Sequence, residues 1–597
     1  MREYSVPVLV DVPPSANLTD TVFQRAEQEP GAVALRRKVG ADWTAVTARE
    51  FRDQVAAVAK GLIAAGVEPG DRVALMSRTR YEWTVIDYAI WSAGAVGVPI
   101  YETSSADQVA WIVSDSGAKA IFVELESHEA TVHEVLPKLD AVKHVWRIEG
   151  GAVDELSAAG AEVSDETLTE RRTGRCVDDL ATIVYTSGTT GMPKGCRLTH
   201  DNLLFTARNV SYGPLEKLFS VDNRSVLLFL PLAHVFARLI QVVLVETGTV
   251  IGHTPDMKNV APSLQEFRPT FLLAVPRVFE KVYNGAEQKA VAGGKGKIFH
   301  AAAGTAIAWS RAESAGGAGL GLKLKHALFD KLVYGKLREA TGGNLWAAIS
   351  GGSALGDRLG HFFRGVGIEV LEGWGLTETS APSTVNMPGA NKIGTVGKPF
   401  PGVSVAIGDD GEILVKGRHI FKGYWNNDAA TAEAIDADGW FHTGDIGEID
   451  ADGYVRITGR KKEILVTAAG KNVAPAPMED RIRAHPLVSQ ALVVGDNRPF
   501  VAALVTLDPE ALEQWKTANG RAGATLAELS ADSAIIAEVQ KAVDDANRSV
   551  SKAEQIKKFT ILDIELSEET GHVTPKQSIK RNVVMRDFAK QVDELYG

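Results

Sequence analysis

The chain has 597 residues, too many for one compact core, so two or more domains are expected. Hydrophobic residues make up 45% and charged residues 23%, a globular composition that excludes wholesale disorder. A net charge of -11 and a pI near 5.7 argue against nucleic acid as the main partner, and with only Cys176 and Cys196 neither a disulfide framework nor a cysteine-rich metal site is expected.

The first residues, MREYSVPVLVDV, lack a basic region followed by a long apolar stretch, so no secretory signal is read there and a cytoplasmic protein is expected. Thr47-Ala48-Arg49-Glu50 has the form of a capping box, and Phe51, Val55, Val58 and Leu62 follow at helical spacing before Gly66. Strands are expected at 72–76 and 96–101, with a helix over 81–93 between them. Alternation of this kind implies an α/β layered domain with a largely parallel sheet. The apolar window 83–101 contains Asp87 and two glycines, which suits a helix and a buried strand better than a membrane span.

Residues 181–185, ATIVY, read as a buried strand that opens into TSGTTGMPKG. Hydroxyls at Thr186, Ser187, Thr189 and Thr190 alternate with Gly188 and Gly191, and Lys194 adds a positive charge. Glycines let the backbone approach closely, so N–H and O–H donors can converge on a polyphosphate. A Walker A loop would end in Gly-Lys-Ser/Thr, which this string does not. The whole string closely resembles the phosphate loop of the adenylate-forming enzymes, the superfamily of acyl-CoA synthetases, luciferases and peptide-synthetase adenylation domains.

Further motifs follow in that family's order. A strand is expected at 225–230, ending at His234, which by resemblance borders the acyl pocket and moves as substrate enters. Ala237 stands where many fatty acyl members carry Glu. Residues 285–343 are glycine-rich and basic, an insertion that resembles the long-chain fatty acyl-CoA synthetases. Lysine runs are ordinarily a solvated face, and contact with an anionic membrane surface is the alternative. The strand expected at 345–350 empties into Gly351, Gly352 and Ser353, which the resemblance puts at the adenine. After a strand at 367–371 comes Glu372-Gly373-Trp374-Gly375-Leu376-Thr377-Glu378. By the same resemblance Trp374 offers a face to the purine, Thr377 an oxygen near the α-phosphate, and Glu378, with Thr186, ligation to Mg²⁺.

Asp409-Asp410-Gly411 reads as a hairpin turn into 412–416, part of a small β subdomain. In WFHTGD, Asp445 matches the family's carboxylate for the two ribose hydroxyls. In the motif at 454–463, Arg460 would contact ribose or phosphates and Lys462 takes the hinge position, while Gly459 replaces an Asp common among fatty acyl members. Gly470 lies in a turn that resembles the lining of the CoA tunnel. Strands are expected at 490–495 and 500–507. Lys580 occupies the place of the family's adenylation lysine, with Lys576 as the alternative.

The resemblance, spanning roughly 50–585, is closest to a long-chain fatty acyl-CoA synthetase. It implies an α/β fold: a large N-terminal domain (1–459) of layered α/β subdomains plus a small β subdomain, and a small mobile α+β C-terminal domain (460–597) hinged near 460–462. The implied chemistry converts a fatty acid and ATP into acyl-AMP and pyrophosphate with Lys580, Glu378, Thr186 and His234 at the reacting groups. Transfer to CoA follows once the cap has turned. A ligase that loads a carrier-protein phosphopantetheine is the nearest rival, and a catalytically silent lipid- or nucleotide-binding protein is the reading from another class.

Overall fold

The computed structural model describes residues 2–186, 192–255, 260–574 and 579–597. The capping box at Thr47 forms as expected, its hydroxyl accepting from Glu50 N and the Glu50 carboxylate accepting from Thr47 N, and it starts the helix Ala48–Ala64. The strand Arg72–Met76, the helix Tyr81–Ser92 and the strand Val96–Ile100 follow within a residue of expectation. They belong to a six-stranded sheet in the order His144–Arg147, Ala120–Val123, Arg72–Met76, Val96–Ile100, Leu180–Thr186, Lys194–Thr199. Only the last pair is antiparallel.

All twelve residues of Tyr81–Ser92 are buried, which explains its apolar character on every face. Among the described residues no helix is long and apolar enough to cross a membrane. Asp87 on this helix pairs with Arg238, whose Nε donates at 3.0 Å, and accepts from Gln241 Nε2 at 3.1 Å. Arg238 also reaches Thr182 Oγ1, and a side chain at Gly97 would collide with its guanidinium, a Cβ falling 2.7 Å from Nη2. One buried ion pair thus locks the helix Val235–Thr247, which follows His234, to the strand that leads into the phosphate loop. Removing one partner of such a pair leaves an uncompensated charge in the core.

A second sheet, of four strands, contains Ser225–Leu228 and Val250–His253. Ser225–Leu228 is two residues shorter than expected. Its ladder ends opposite His253, and Leu230 O instead accepts from Thr79 Oγ1 at 2.6 Å. A third sheet aligns Phe271–Ala274, Ala347–Ser350 and Glu369–Leu376 in parallel, then adds Ala381–Val385 and Lys398–Pro399 antiparallel. Here the strand expected to end at Leu371 continues through the glycine-rich motif to Leu376. Pairing with Ala381–Val385 overrides the glycines' weak strand preference. Gly375 fits that pairing because a Cβ would sit 1.7 Å from Ala381 O.

Five antiparallel strands, Glu3–Ser5, Val403–Ile407, Glu412–Gly417, Phe441–Ile449 and Val455–Arg460, make the small β subdomain, with the expected hairpin at Asp409–Gly411 between the second and third. Beyond Arg460 the chain forms a separate α+β unit around Val488–Val494, Val501–Leu507 and Ile556–Ile561. The apolar cores respect this division: two draw their buried members from residues up to Val455, and the other two from Val473 onward. Polar contacts bridge the two units, among them Arg277 to Asp508 at 2.6 Å and Gln514 to Gln288 at 2.9 Å.

Candidate active site

The strands Leu180–Thr186 and Lys194–Thr199, which flank the phosphate-loop motif, pair antiparallel with Thr186 opposite Lys194. Ser187, Gly188, Thr189, Thr190 and Gly191 lie outside the described residues, as does Lys576. The stem is held firmly. Trp111 Nε1 donates to Pro193 O at 2.9 Å, Tyr185 OH donates to Asp115 Oδ2 at 2.6 Å, and Trp425 N donates to Gly195 O at 2.7 Å. Ile183 and Tyr185 crowd Gly195 so that a Cβ there would lie 2.7 Å from Ile183 Cγ2.

Tyr424 gathers two of the expected residues, Glu378 and Lys194, and a third, Cys196, that was not among them. Its hydroxyl donates to Glu378 Oε1 at 2.8 Å, the Lys194 ammonium lies 4.9 Å from its ring centroid, and it bridges to Cys196 in the strand after the loop. Burial and the neighbouring Glu378 charge push the Tyr424 phenol well above its ordinary range, so it is a donor at neutral pH. The same two causes push up the buried Cys196 thiol, which is inert as a nucleophile. Among the described residues no three His, Cys, Asp or Glu side chains form a metal cluster. One carboxylate with a hydroxyl and substrate phosphates is the donor set that suits Mg²⁺, and Glu378 with Thr186 fits it.

Asp445 sits opposite Arg460 in the antiparallel pair of Phe441–Ile449 and Val455–Arg460. Arg460 Nε donates to its Oδ1 at 2.8 Å and Trp374 Nε1 to its Oδ2 at 2.8 Å. The carboxylate side chain is only 6% exposed, while that of Arg460 is 46% exposed. The purine candidate, the ribose candidate and the arginine are therefore one hydrogen-bonded set.

Glu372 Oε1 accepts from Leu355 N at 2.9 Å, in the segment that follows the adenine candidates Gly351, Gly352 and Ser353. Burial raises its carboxyl to about 7, with Asp357 and Asp480 adding to the rise. Gly373 and Thr377 lie on the same strand and the turn after it. The Phe236 ring occupies the space a side chain at Gly351 would need, with Cζ 3.0 Å from a Cβ there. Two residues earlier His234 caps the helix Val235–Thr247, its Nδ1 accepting from Phe236 N at 3.2 Å, which puts the proton of a neutral ring on Nε2.

The C-terminal candidates stand apart from this set. Lys462 lies in the short turn Lys461–Glu463 immediately after Arg460, and Gly470, at φ +76°, occupies the turn between Leu465–Val466 and Asn472–Val473. Gly459 is in ordinary strand pairing with Ile446, and a Cβ there would meet Ala474 at 3.4 Å. Lys580 caps the helix Arg581–Asp587 and its backbone N donates to His572 O at 2.8 Å. Among the described residues its ammonium has no ion pair. Glu568, in the same C-terminal unit, adds its charge to the burial that raises Tyr101 and Glu102, at the end of Val96–Ile100, the strand that neighbours Leu180–Thr186. The end of a parallel strand is where α/β folds take ligands.

Tyr424 and Phe236 escape the sequence reading. Phe236 lies two residues from His234 and Tyr424 lies in no motif, and for both the partner comes from a distant segment, so no spacing rule links Tyr424 to Glu378 or Phe236 to Gly351.

Largely parallel sheets, one of them flanking the Thr/Gly/Lys motif, with a small β subdomain and a separate α+β unit, together define the adenylate-forming fold. The solved anthranilate CoA ligase AuaEII with anthranoyl-AMP superimposes over 98% of this chain and 99% of its own, with TM-score 0.73 at 19% identity. O-succinylbenzoate Coenzyme A Synthetase (MenE) from Bacillus subtilis, solved with ATP and magnesium ion, does so over 94% and 98%, with TM-score 0.67 at 21% identity. The chain belongs to the AMP-binding enzyme family, whose model matches residues 22–425, and the model of the AMP-binding enzyme C-terminal domain matches 462–597. Among curated proteins it is 51% identical, over the whole of both chains, to the long-chain-fatty-acid--CoA ligase FadD15 of Mycobacterium bovis. It is 32% identical to the long-chain-fatty-acid--CoA ligase ACSBG2 of Gallus gallus, over 96% of this chain and 81% of that one.

Proposed function

We propose that this protein is a long-chain fatty acid--CoA ligase that forms an acyl adenylate from fatty acid and ATP, releases pyrophosphate, and transfers the acyl group to CoA with release of AMP. The observation that carries the reading is the end-to-end identity of 51% with a CoA ligase, joined to a site that retains Thr186, Lys194, Glu378, Asp445 and Arg460.

In this reading Asp445 accepts the ribose hydroxyls, with Trp374 and Arg460 fixing its two oxygens, and Gly351 to Ser353 receive the adenine. The loop from Thr186 to Lys194 cradles the phosphates. Mg²⁺, held by Glu378 and Thr186, supplies charge neutralisation on the phosphate oxygens. Lys580 brings an ammonium to the α-phosphate as negative charge grows there, and alignment of the carboxylate with phosphorus supplies much of the remaining rate. No enzyme nucleophile is required. His234 borders the acyl group, oriented by its bond from Phe236 N.

The two working units are 1–459 and 460–597. Rotation about Lys462 withdraws Lys580 and brings the Gly470 turn to the site, so that the thiol of CoA can reach the acyl carbonyl. The test is to supply a long-chain acid and ATP with either CoA or a phosphopantetheinylated carrier protein and to weigh the products. Acyl-CoA and AMP are expected. Acyl carrier protein formed in preference to acyl-CoA would replace the acceptor, and no acid-dependent pyrophosphate release would overturn catalysis altogether.

A further inference from the structure

The insertion at 285–343 is helical in the structure, and one of its faces is unlike the rest of the surface. The helix Leu320–Phe329 continues through the π turn Asp330–Tyr334 into Gly335–Ala340. Its inner side is fixed to the body. His326 stacks on Trp309 with centroids 4.4 Å apart and bonds to Gly365 O at 2.6 Å, Phe329 is buried, and Tyr334 OH donates to Ala302 O at 2.7 Å.

The outer side carries Leu320, Leu324, Leu328 and Leu332, which are 82%, 73%, 55% and 53% exposed. Four leucines so bare on one anchored helix form a patch that marks an interaction surface. A uniform step of four drifts around an α-helix of about 3.6 residues per turn, and the wider π turn brings Leu332 back toward the line of Leu328. Lys323, Lys325, Lys331 and Lys336 are exposed along the same helix, and among the described residues none is ion-paired. The nearby Arg338 and Asp330 neutralise each other at 2.8 Å. The patch is therefore basic on a protein whose net charge is -11.

We propose that this helix lies in the surface of an anionic lipid bilayer, its leucines among the acyl chains and its lysines at the headgroups. Apolar side chains on one side with lysine stems able to reach past them is the design of an interfacial helix. Charge selects the occupant: four unpaired ammonium groups favour an anionic surface, each adding attraction near it. The spacing disfavours a second copy of the helix, because a two-helix seam alternates steps of three and four. The sequence alone favoured a solvated face for these lysines, and the exposed leucines between them are what favour the membrane surface instead.

The test is flotation of the full-length protein with vesicles of equal parts phosphatidylglycerol and phosphatidylcholine, and with vesicles of phosphatidylcholine alone. Leu320→Gln, Leu324→Gln and Leu328→Gln together, and separately Lys323→Gln, Lys325→Gln, Lys331→Gln and Lys336→Gln together, should each weaken binding to the anionic vesicles by at least about tenfold. Both sets should leave turnover of detergent-dispersed acid unchanged. The lysine set should also abolish the salt sensitivity of binding. Equal flotation of wild type and both variants overturns the proposal, as does equal wild-type binding to both kinds of vesicle. A wild-type dimer in solution that the leucine set dissolves, with flotation unaltered, would assign the face to a second copy instead.

Discussion

The nucleotide side of the large unit and the lysine of the small unit are built on opposite terms. Asp445 has both oxygens engaged, by Arg460 and Trp374, and Glu378 is held by Tyr424. Among the described residues Lys580 is anchored only through its backbone. The difference is what the proposed two-step reaction in one cavity would require. Groups that serve both steps gain from being fixed before substrate arrives, since fixed donors and acceptors need no reorganisation at the moment of reaction. A cation that must leave between steps would be hindered by partners of its own.

The strongest way to break this comparison is Lys580→Ala. Adenylate formation, followed by acid-dependent pyrophosphate release, should fall by about 10² to 10³, while thioester formation from synthetic acyl-AMP and CoA is spared. Equal loss of both steps would end the assignment of Lys580.

Glu372 sharpens the comparison because its carboxyl feels Asp480 across the two units. Its folded value, about 7, lies above the ordinary 4.5, so the native state holds this proton more tightly than the unfolded chain does. The stability it contributes is complete below about pH 4.5 and is lost as pH rises through about 7. Between pH 5 and 8 the wild type should lose about 2 to 3 kcal/mol from this group, and Glu372→Gln should flatten that part of a urea-midpoint profile. A profile unchanged by the substitution would show the carboxyl to be ordinary.

Asp445→Asn keeps the shape but removes the charge that Arg460 meets, and kcat/KM for ATP should fall about thirtyfold. A loss confined to the CoA step would contradict its place at the ribose. The smallest effect is expected for Tyr424→Phe, which keeps the ring under Lys194 and deletes only the hydroxyl bonded to Glu378. The Mg²⁺ concentration for half-maximal rate should rise about fivefold, with KM for the fatty acid unmoved.

Much of this was legible in the sequence where a property is local. The Thr47 capping box, the strand Arg72–Met76 and the hairpin at Asp409–Gly411 depend on neighbours a few residues away, and they form as read. What depends on distant partners was not legible. Asp87 was recognised only as a charge unsuited to a membrane span, because its partner Arg238 is 151 residues further on. The strand expected to stop at Leu371 runs on through Glu372 to Leu376 because Ala381–Val385 is there to pair with it. The leucines from Leu320 to Leu332 are plain in the sequence, but which side of their helix meets the body is decided by Trp309, Gly365 and Ala302.

Arg581, the residue after Lys580, reaches Glu463 at 3.5 Å, one residue past the proposed pivot at Lys462, and also pairs with Glu479. All three lie on the same side of Lys462, so on the proposed rotation this cross-brace would travel with the cap instead of being broken by its swing. The backbone that carries Lys580 would then turn as one piece with the residue next to the fulcrum.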